Sequence, residues 1–325
     1  MKKLIFLSII SLLFASSCDD DNPIPEDVDF KQEMRNFVQK ISVYAKGINP
    51  DFVIIPQNGE QLVTQNGEPD GLADDIYLAS IDGQGREDLF YGYDNDDEAT
   101  PQEAVNEMLS FLDVCVQNNV TVLVTDYCFT HSKMDDSYTK NAAKNYLSFA
   151  APERDLNVVP DYPAEPVNVN SNDIQKLSDA QNFLYIINSE NFATKTDFIN
   201  ALKATNYDVI LIDYAFNENP FTAAEIESLK VKVNGGKRLI ISYMSIGEAE
   251  TYRYYWQSDW KPGNPEWLDE ENPDWEGNYK VRYWDAEWQS IIYGNDNSYL
   301  KKILDAGFDG VYLDIIDGFE YFEEM

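Results

Sequence analysis

The chain has 325 residues, 44% of them hydrophobic, and a formal net charge of −34, enough length and apolar content for one large α/β domain or two ordinary ones. So acidic a chain argues against nucleic acid as a partner, because binding a phosphate backbone rests on Lys and Arg; strong acidity mostly serves solubility and only secondarily favours a cationic partner such as an amino sugar. A single histidine, His131, and three cysteines offer neither a zinc cluster nor a facial triad, so no metal and no cofactor is expected.

The chain opens with Lys2 and Lys3 ahead of an apolar run at 4–15, too short to span a bilayer and ending in small residues, as a signal peptide does. "LFASSC" resembles a lipobox, in which Cys18 is lipidated after cleavage, and Asp19, Asp20 and Asp21 are similar to the acidic export tag of surface-displayed bacterial lipoproteins. That divides the chain into a leader at 1–18, an acidic tether at 19–29 and a folded remainder at 30–325. It places the protein at the outer membrane or cell surface. The alternative is an ordinary secretory signal with Cys18 idle.

Residues 30–47 carry Phe30, Met34, Phe37, Val38, Ile41 and Tyr44 at helical spacing. Beyond them, apolar runs suited to buried parallel strands recur at 52–56, 88–92, 120–125, 183–187, 208–213, 238–244, 280–284 and 310–314. Helical stretches are predicted at 101–118, 138–149, 194–205, 222–233 and 287–306. Eight strands alternating with helices predict an α/β fold, a (β/α)8 TIM barrel. "DGQGRED" precedes a strand and reads as a turn rather than a phosphate loop. "DNDDEA" lacks the glycine of a calcium loop. Cys115, in a helix, and Cys128, after a strand, fall toward opposite ends of their layer, so no disulfide is expected.

No helix is predicted after the final strand, and no strand is predicted before the helix at 30–47. Pairing the two gives a single, circularly permuted barrel at 30–325, opened between its last strand and that strand's helix.

The segments "NPDFVIIPQNGEQLV", "GREDLFYGYD", "YMSIGEAETYRYYW", "YWDAEWQSIIYG" and "AGFDGVYLDIID" resemble those of the TM1410-type hypothetical glycosidases. That family is related to the endo-α-1,4-polygalactosaminidases of glycoside hydrolase family 114. The resemblance implies hydrolysis of an extracellular polysaccharide or oligosaccharide, galactosamine-containing by analogy. "FLYIIN", similar to the family's opening strand, comes fourth here, in keeping with a permuted order.

In such a barrel the chemistry sits at the C-terminal strand ends. There the sequence places Asp126, Asp213, Glu248, Asp285 and Asp314, with Glu250, Glu287 and Asp317 one step further out. Glycoside hydrolysis needs two carboxyl groups. Asp213 and Glu248 follow consecutive strands and match acidic positions of the family, which makes them the expected catalytic pair. Glu248, near Ile246, Tyr252 and Trp256 in sequence, is expected to be the general acid and Asp213 the nucleophile or base. Asp314, Asp285, Asp126, Asn58, Arg253 and Tyr252 are candidate sugar contacts; each acid could equally cap a helix or bind backbone. All six tryptophans lie between Trp256 and Trp288. Trp256 and Trp284 are candidate stacking platforms, although so long a connection also needs a small core of its own. Two functions stay open, a surface-anchored glycoside hydrolase and a non-catalytic glycan-binding lipoprotein on the same scaffold. Either is expected to be a monomer.

Overall fold

A computed structural model describes residues 28–325. The leader, Cys18 and most of the acidic tether lie outside the described residues.

Helix α1 (Phe30–Ile48) begins where the Asp29 carboxylate accepts the Gln32 N–H at 2.9 Å, and it buries Met34, Phe37, Val38, Ile41 and Ala45 along one face. Eight parallel strands follow: β1 (Val53–Pro56), β2 (Gly83–Glu87), β3 (Thr121–Tyr127), β4 (Leu147–Ala151), β5 (Phe183–Tyr185), β6 (Val209–Ile212), β7 (Leu239–Ser245) and β8 (Gly310–Asp314). The connecting helices are α2 (Asp75–Ser80), α3 (Gln102–Gln117), α4 (His131–Ala143), α5 (Lys195–Lys203), α6 (Ala223–Leu229), α7 (Ala286–Ile292), α8 (Tyr299–Asp305) and α9 (Gly318–Glu323). Among the described residues no helix is long and apolar enough to cross a membrane.

Backbone pairing makes two parallel sheets, one in the order β1–β8–β7–β6–β5 and one in the order β2–β3–β4. A parallel bridge between Gln57 and Gly85 joins β1 to β2. On the other side β4 and β5 meet through the rings of Phe149 and Phe183, 6.0 Å apart, without sharing a ladder. The barrel expected from the sequence is thus met as a parallel α/β arrangement whose hydrogen bonding does not close.

Eight strands were expected and eight parallel strands form, but through compensating differences. The run at 88–92 is a loop with Leu89, Phe90 and Tyr91 buried. The strand is the preceding Gly-Gln-Gly-Arg-Glu, where the sequence predicts a turn. It carries no apolar signature because a strand beyond its neighbour fills the interior for it: a Cβ on Gly85 would lie 2.1 Å from Oη of the buried Tyr312 on β8. Helix α4 stops at Ala143, Asn145 turns with φ of 59°, and the missed strand β4 follows. The run at 280–284 is not a parallel strand. Asn278–Val281 pairs antiparallel with both Glu248–Glu250 and Leu268–Glu271, a small sheet in the long connection after β7. The helix expected at 287–306 is broken into α7 and α8, with Gly294 at φ 97° between them.

Helix α1 packs against α2, α8 and α9. Its first turn meets the C-terminal helix directly, with Phe30 stacked on Phe322 at 5.6 Å, Trp284 within 5.1 Å of Phe30 and 4.7 Å of Phe322, and Lys31 paired to Glu323 at 2.5 Å. Cys115 and Cys128 are free and buried.

Candidate active site

The C-terminal ends of the strands surround a cleft of about 340 Å³, lined by Gln57 and Asn58 after β1, Glu87 ending β2, Tyr127 ending β3, Tyr185 on β5, Asp213 after β6, Tyr243 on β7, and Asp314 ending β8. Loops add Arg154, Tyr252, Arg253, Trp275 and Asp317, and the small antiparallel sheet adds Asn278. Strand geometry explains the convergence, since each strand delivers its last outward step to the same rim.

Asp213 accepts the Ala215 N–H and Arg253 Nη1 on Oδ1, both at 2.8 Å, and Arg253 Nη2 reaches Oδ2 at 2.8 Å. The guanidinium is nearly buried. Burial alone would make it easier to deprotonate, but the charges of Asp213 and Glu250 more than offset that and hold it cationic. Its other edge binds Glu250 at 2.5 Å, and Tyr252 Oη donates to the same carboxylate at 2.6 Å. Glu250 itself is buried beneath this pair.

Asp314 stands two strands from Asp213, with β7 between them, a backbone separation of roughly 10 Å. From β7, Tyr243 Oη donates to Asp314 Oδ2 at 2.6 Å. Burial and the nearby charge of Glu87 push the Asp314 carboxyl up to about 7, against the pull of the Tyr243 bond. Asp317 is pushed up to about 7 as well, by burial and by Glu320. Glu87 accepts from Tyr127 Oη and from Asn58 Nδ2 at 3.2 Å. Asn58 holds φ at 56°, which aims its amide at Glu87.

Glu248 has surroundings unlike those its sequence neighbours implied. Its carboxylate is fully buried at the cleft wall and accepts Lys280 Nζ at 2.6 Å, Asn272 Nδ2 at 2.8 Å and Asn278 Nδ2 at 3.3 Å. These donors come from the strand opposite and the loop beyond it, which the sequence order of apolar residues does not reveal.

Other candidates fall outside the cleft. Asp126 is buried beneath the 88–92 loop and accepts Phe90 N–H, Tyr91 N–H, Ser137 Oγ and Asn141 Nδ2 at 2.6–3.2 Å, tying that loop to α4. Asp285 caps α7 through the Glu287 N–H at 2.7 Å. Trp256 packs on Trp260 and Tyr279, and Trp284 on Phe30 and Phe322, so both are core residues of the connection and its seam. Trp275, 58% exposed, is the tryptophan that lines the cleft.

Glu87, Tyr243 and Arg154 were not anticipated as site residues. Glu87 ends the strand read as a turn. Arg154 is held over the Tyr127 ring at 3.9 Å and paired to Asp88 and Asp96 from an irregular loop. The strand-end rule would have found Glu87 once β2 was placed. Six carboxyl side chains and two cations line the cleft, and both cations are already paired to carboxylates. Among the described residues no three His, Cys, Asp or Glu side chains converge as a metal ion would require.

A family model described as glycoside-hydrolase family GH114 matches residues 163–325, half of the chain, including Asp213, the loop after β7 and β8. An uncharacterized protein, MJ1477, of Methanocaldococcus jannaschii is 44% identical over 158 residues, covering 48% of this chain and 42% of that protein. Uncharacterized proteins of Thermotoga maritima and Deinococcus radiodurans are each 40% identical over 123 residues, 38% of this chain and 36% and 37% of theirs. The chain spans less than half the length of the curated relatives it matches.

Proposed function

This chain belongs to glycoside-hydrolase family GH114, and from that premise we propose that it hydrolyses an extracellular polysaccharide at the cleft, with Asp314 as proton donor and Asp213 as nucleophile or base. The observation that carries the reading is the contrast between the two carboxyl groups on one rim: Asp213 is held in a bidentate ion pair with Arg253, while Asp314 retains its proton into the neutral range. Protonation of the glycosidic oxygen by Asp314 lets the C1–O bond break, and the oxocarbenium-like centre is met by Asp213 or by a water that gives Asp213 its proton. The excess of carboxylates over free cations favours a substrate bearing amines, a galactosamine-containing polymer first. The packing of α1 beside α8 and α9 supports the permuted barrel expected from the sequence. Export as a monomeric outer-membrane or cell-surface lipoprotein through Cys18 belongs to the same proposal, and partitioning of the Cys18→Ala chain between membrane and medium reads it.

The test is a panel of amino-sugar, plant and host glycans scored for cleavage and for binding. Asp213→Asn and Asp314→Asn should each lower kcat by several orders of magnitude while the fold and glycan binding persist. Binding without cleavage by the parent on every polymer would turn the assignment to the glycan-binding alternative.

A further inference from the structure

The antiparallel sheet after β7 is built in two halves with different chemistry. Its root is aromatic: Trp267 is buried between Trp260, at 4.8 Å, and Trp288, at 5.0 Å, and Tyr279 leans on Trp256 at 5.1 Å. Its tip, residues 272–278, is polar and closed by backbone bonds from Asn272 N to Asn278 O at 2.7 Å and from Asn278 N to Trp275 O at 3.1 Å. Five tryptophans pack into the connection or its seam; the sixth, Trp275, stands at the tip with more than half its surface in solvent, at the cleft. Its indole takes no part in the aromatic root of the sheet.

Glu248 explains how the tip is held. Its carboxylate takes Asn272 and Asn278, the two ends of the turn that carries Trp275, and Lys280 one step further along the strand. All three donors belong to the hairpin, and Glu248 is anchored below in the strand that pairs with it. We propose that Glu248 is a positioning residue that clasps this hairpin, and that Trp275 is the platform on which the apolar face of a sugar ring next to the scissile bond stacks. An aromatic face accepts the C–H face of a pyranose, and a turn fixed at both ends keeps the indole preorganised for it. The inference rests on the reading of the cleft as a carbohydrate site.

The probe is a soluble, partly N-acetylated α-1,4-linked galactosamine oligosaccharide, with binding and turnover measured on the purified full chain. Trp275→Ala should raise KM and the dissociation constant about tenfold or more, with kcat within about threefold of the parent. Trp275→Phe should recover most of the affinity, and the ligand-induced fluorescence change of the parent should be absent from it. Glu248→Gln and Lys280→Met should show the same split, each raising KM, with far-UV circular dichroism matching the parent. A collapse of kcat in Glu248→Gln at unchanged KM would make Glu248 a catalytic residue and overturn the clasp. Unaltered affinity in Trp275→Ala overturns the platform and leaves the hydrolase standing. A parent that binds without cleaving, and loses binding in Trp275→Ala, keeps the platform and removes the hydrolase. A parent that does not bind overturns both.

Discussion

Asp314 keeps its proton at a cost to the fold. Its carboxyl sits at about 7 in the folded chain against 3.8 ordinarily, so between those values the folded state binds more protons than the unfolded one, and stability falls as pH rises through that window. The full interval corresponds to at most about 4 kcal/mol, and water in the cleft reduces it. Urea denaturation at pH 8 should find Asp314→Asn more stable than the parent by about 1–3 kcal/mol, with the advantage gone near pH 4; equal stability at both pH values would show that the group is not strained. Hydrolysis by the parent should decline as pH rises through about 7, since a donor that has lost its proton cannot protonate the leaving oxygen. The strand-end rule was enough to bring Asp213, Asn58 and Asp314 to one rim from sequence. It could not tell them from Asp126 and Asp285, because an acid that binds backbone N–H groups and one that faces a cleft look alike until the donors are placed.

Among the elements, β2 shows how a strand can be written without hydrophobic residues. Gly85 admits the Tyr312 ring, which also meets Tyr185 edge-on at 5.2 Å, and the Tyr312 hydroxyl has no partner among the described residues. Gly85→Ala forces a methyl into that ring and should cost about 2 kcal/mol or more by chemical denaturation. Combining it with Tyr312→Leu should cost less than the two single changes added. A Gly85→Ala chain within about 0.5 kcal/mol of the parent would mean the interior yields there. Periodicity found β1, β3 and β5 to β8 because both faces of those strands are buried and apolar. It failed at β2, where the apolar mass comes from another strand, and at β4, where Asn145 ends a helix whose pattern runs on into "LSFAA".

For the molecule as a whole, the seam between α1 and α9 is aromatic. Trp284 touches Phe30, Tyr283 and Phe322, all within 5.1 Å, whereas the Lys31–Glu323 pair is solvated and contributes little. Trp284→Ala should therefore lower stability by on the order of 3 kcal/mol, while Lys31→Ala changes it by less than about 1 kcal/mol; thermal or urea unfolding separates the two, and the reverse order would disprove the seam. That the first helix meets the C-terminal end of the chain follows from the topology argument, but the chemistry of the contact does not, because Trp284 read equally well as a sugar platform. Helix α1 leads down into β1, so Asp29 stands at the cleft end of the molecule, beside α9. With a lipid on Cys18, the stretch from 18 to 29 could reach at most roughly 40 Å when extended. If Cys18 is the anchor proposed above, the attachment point at Asp29 and the cleft lie at the same end of the molecule.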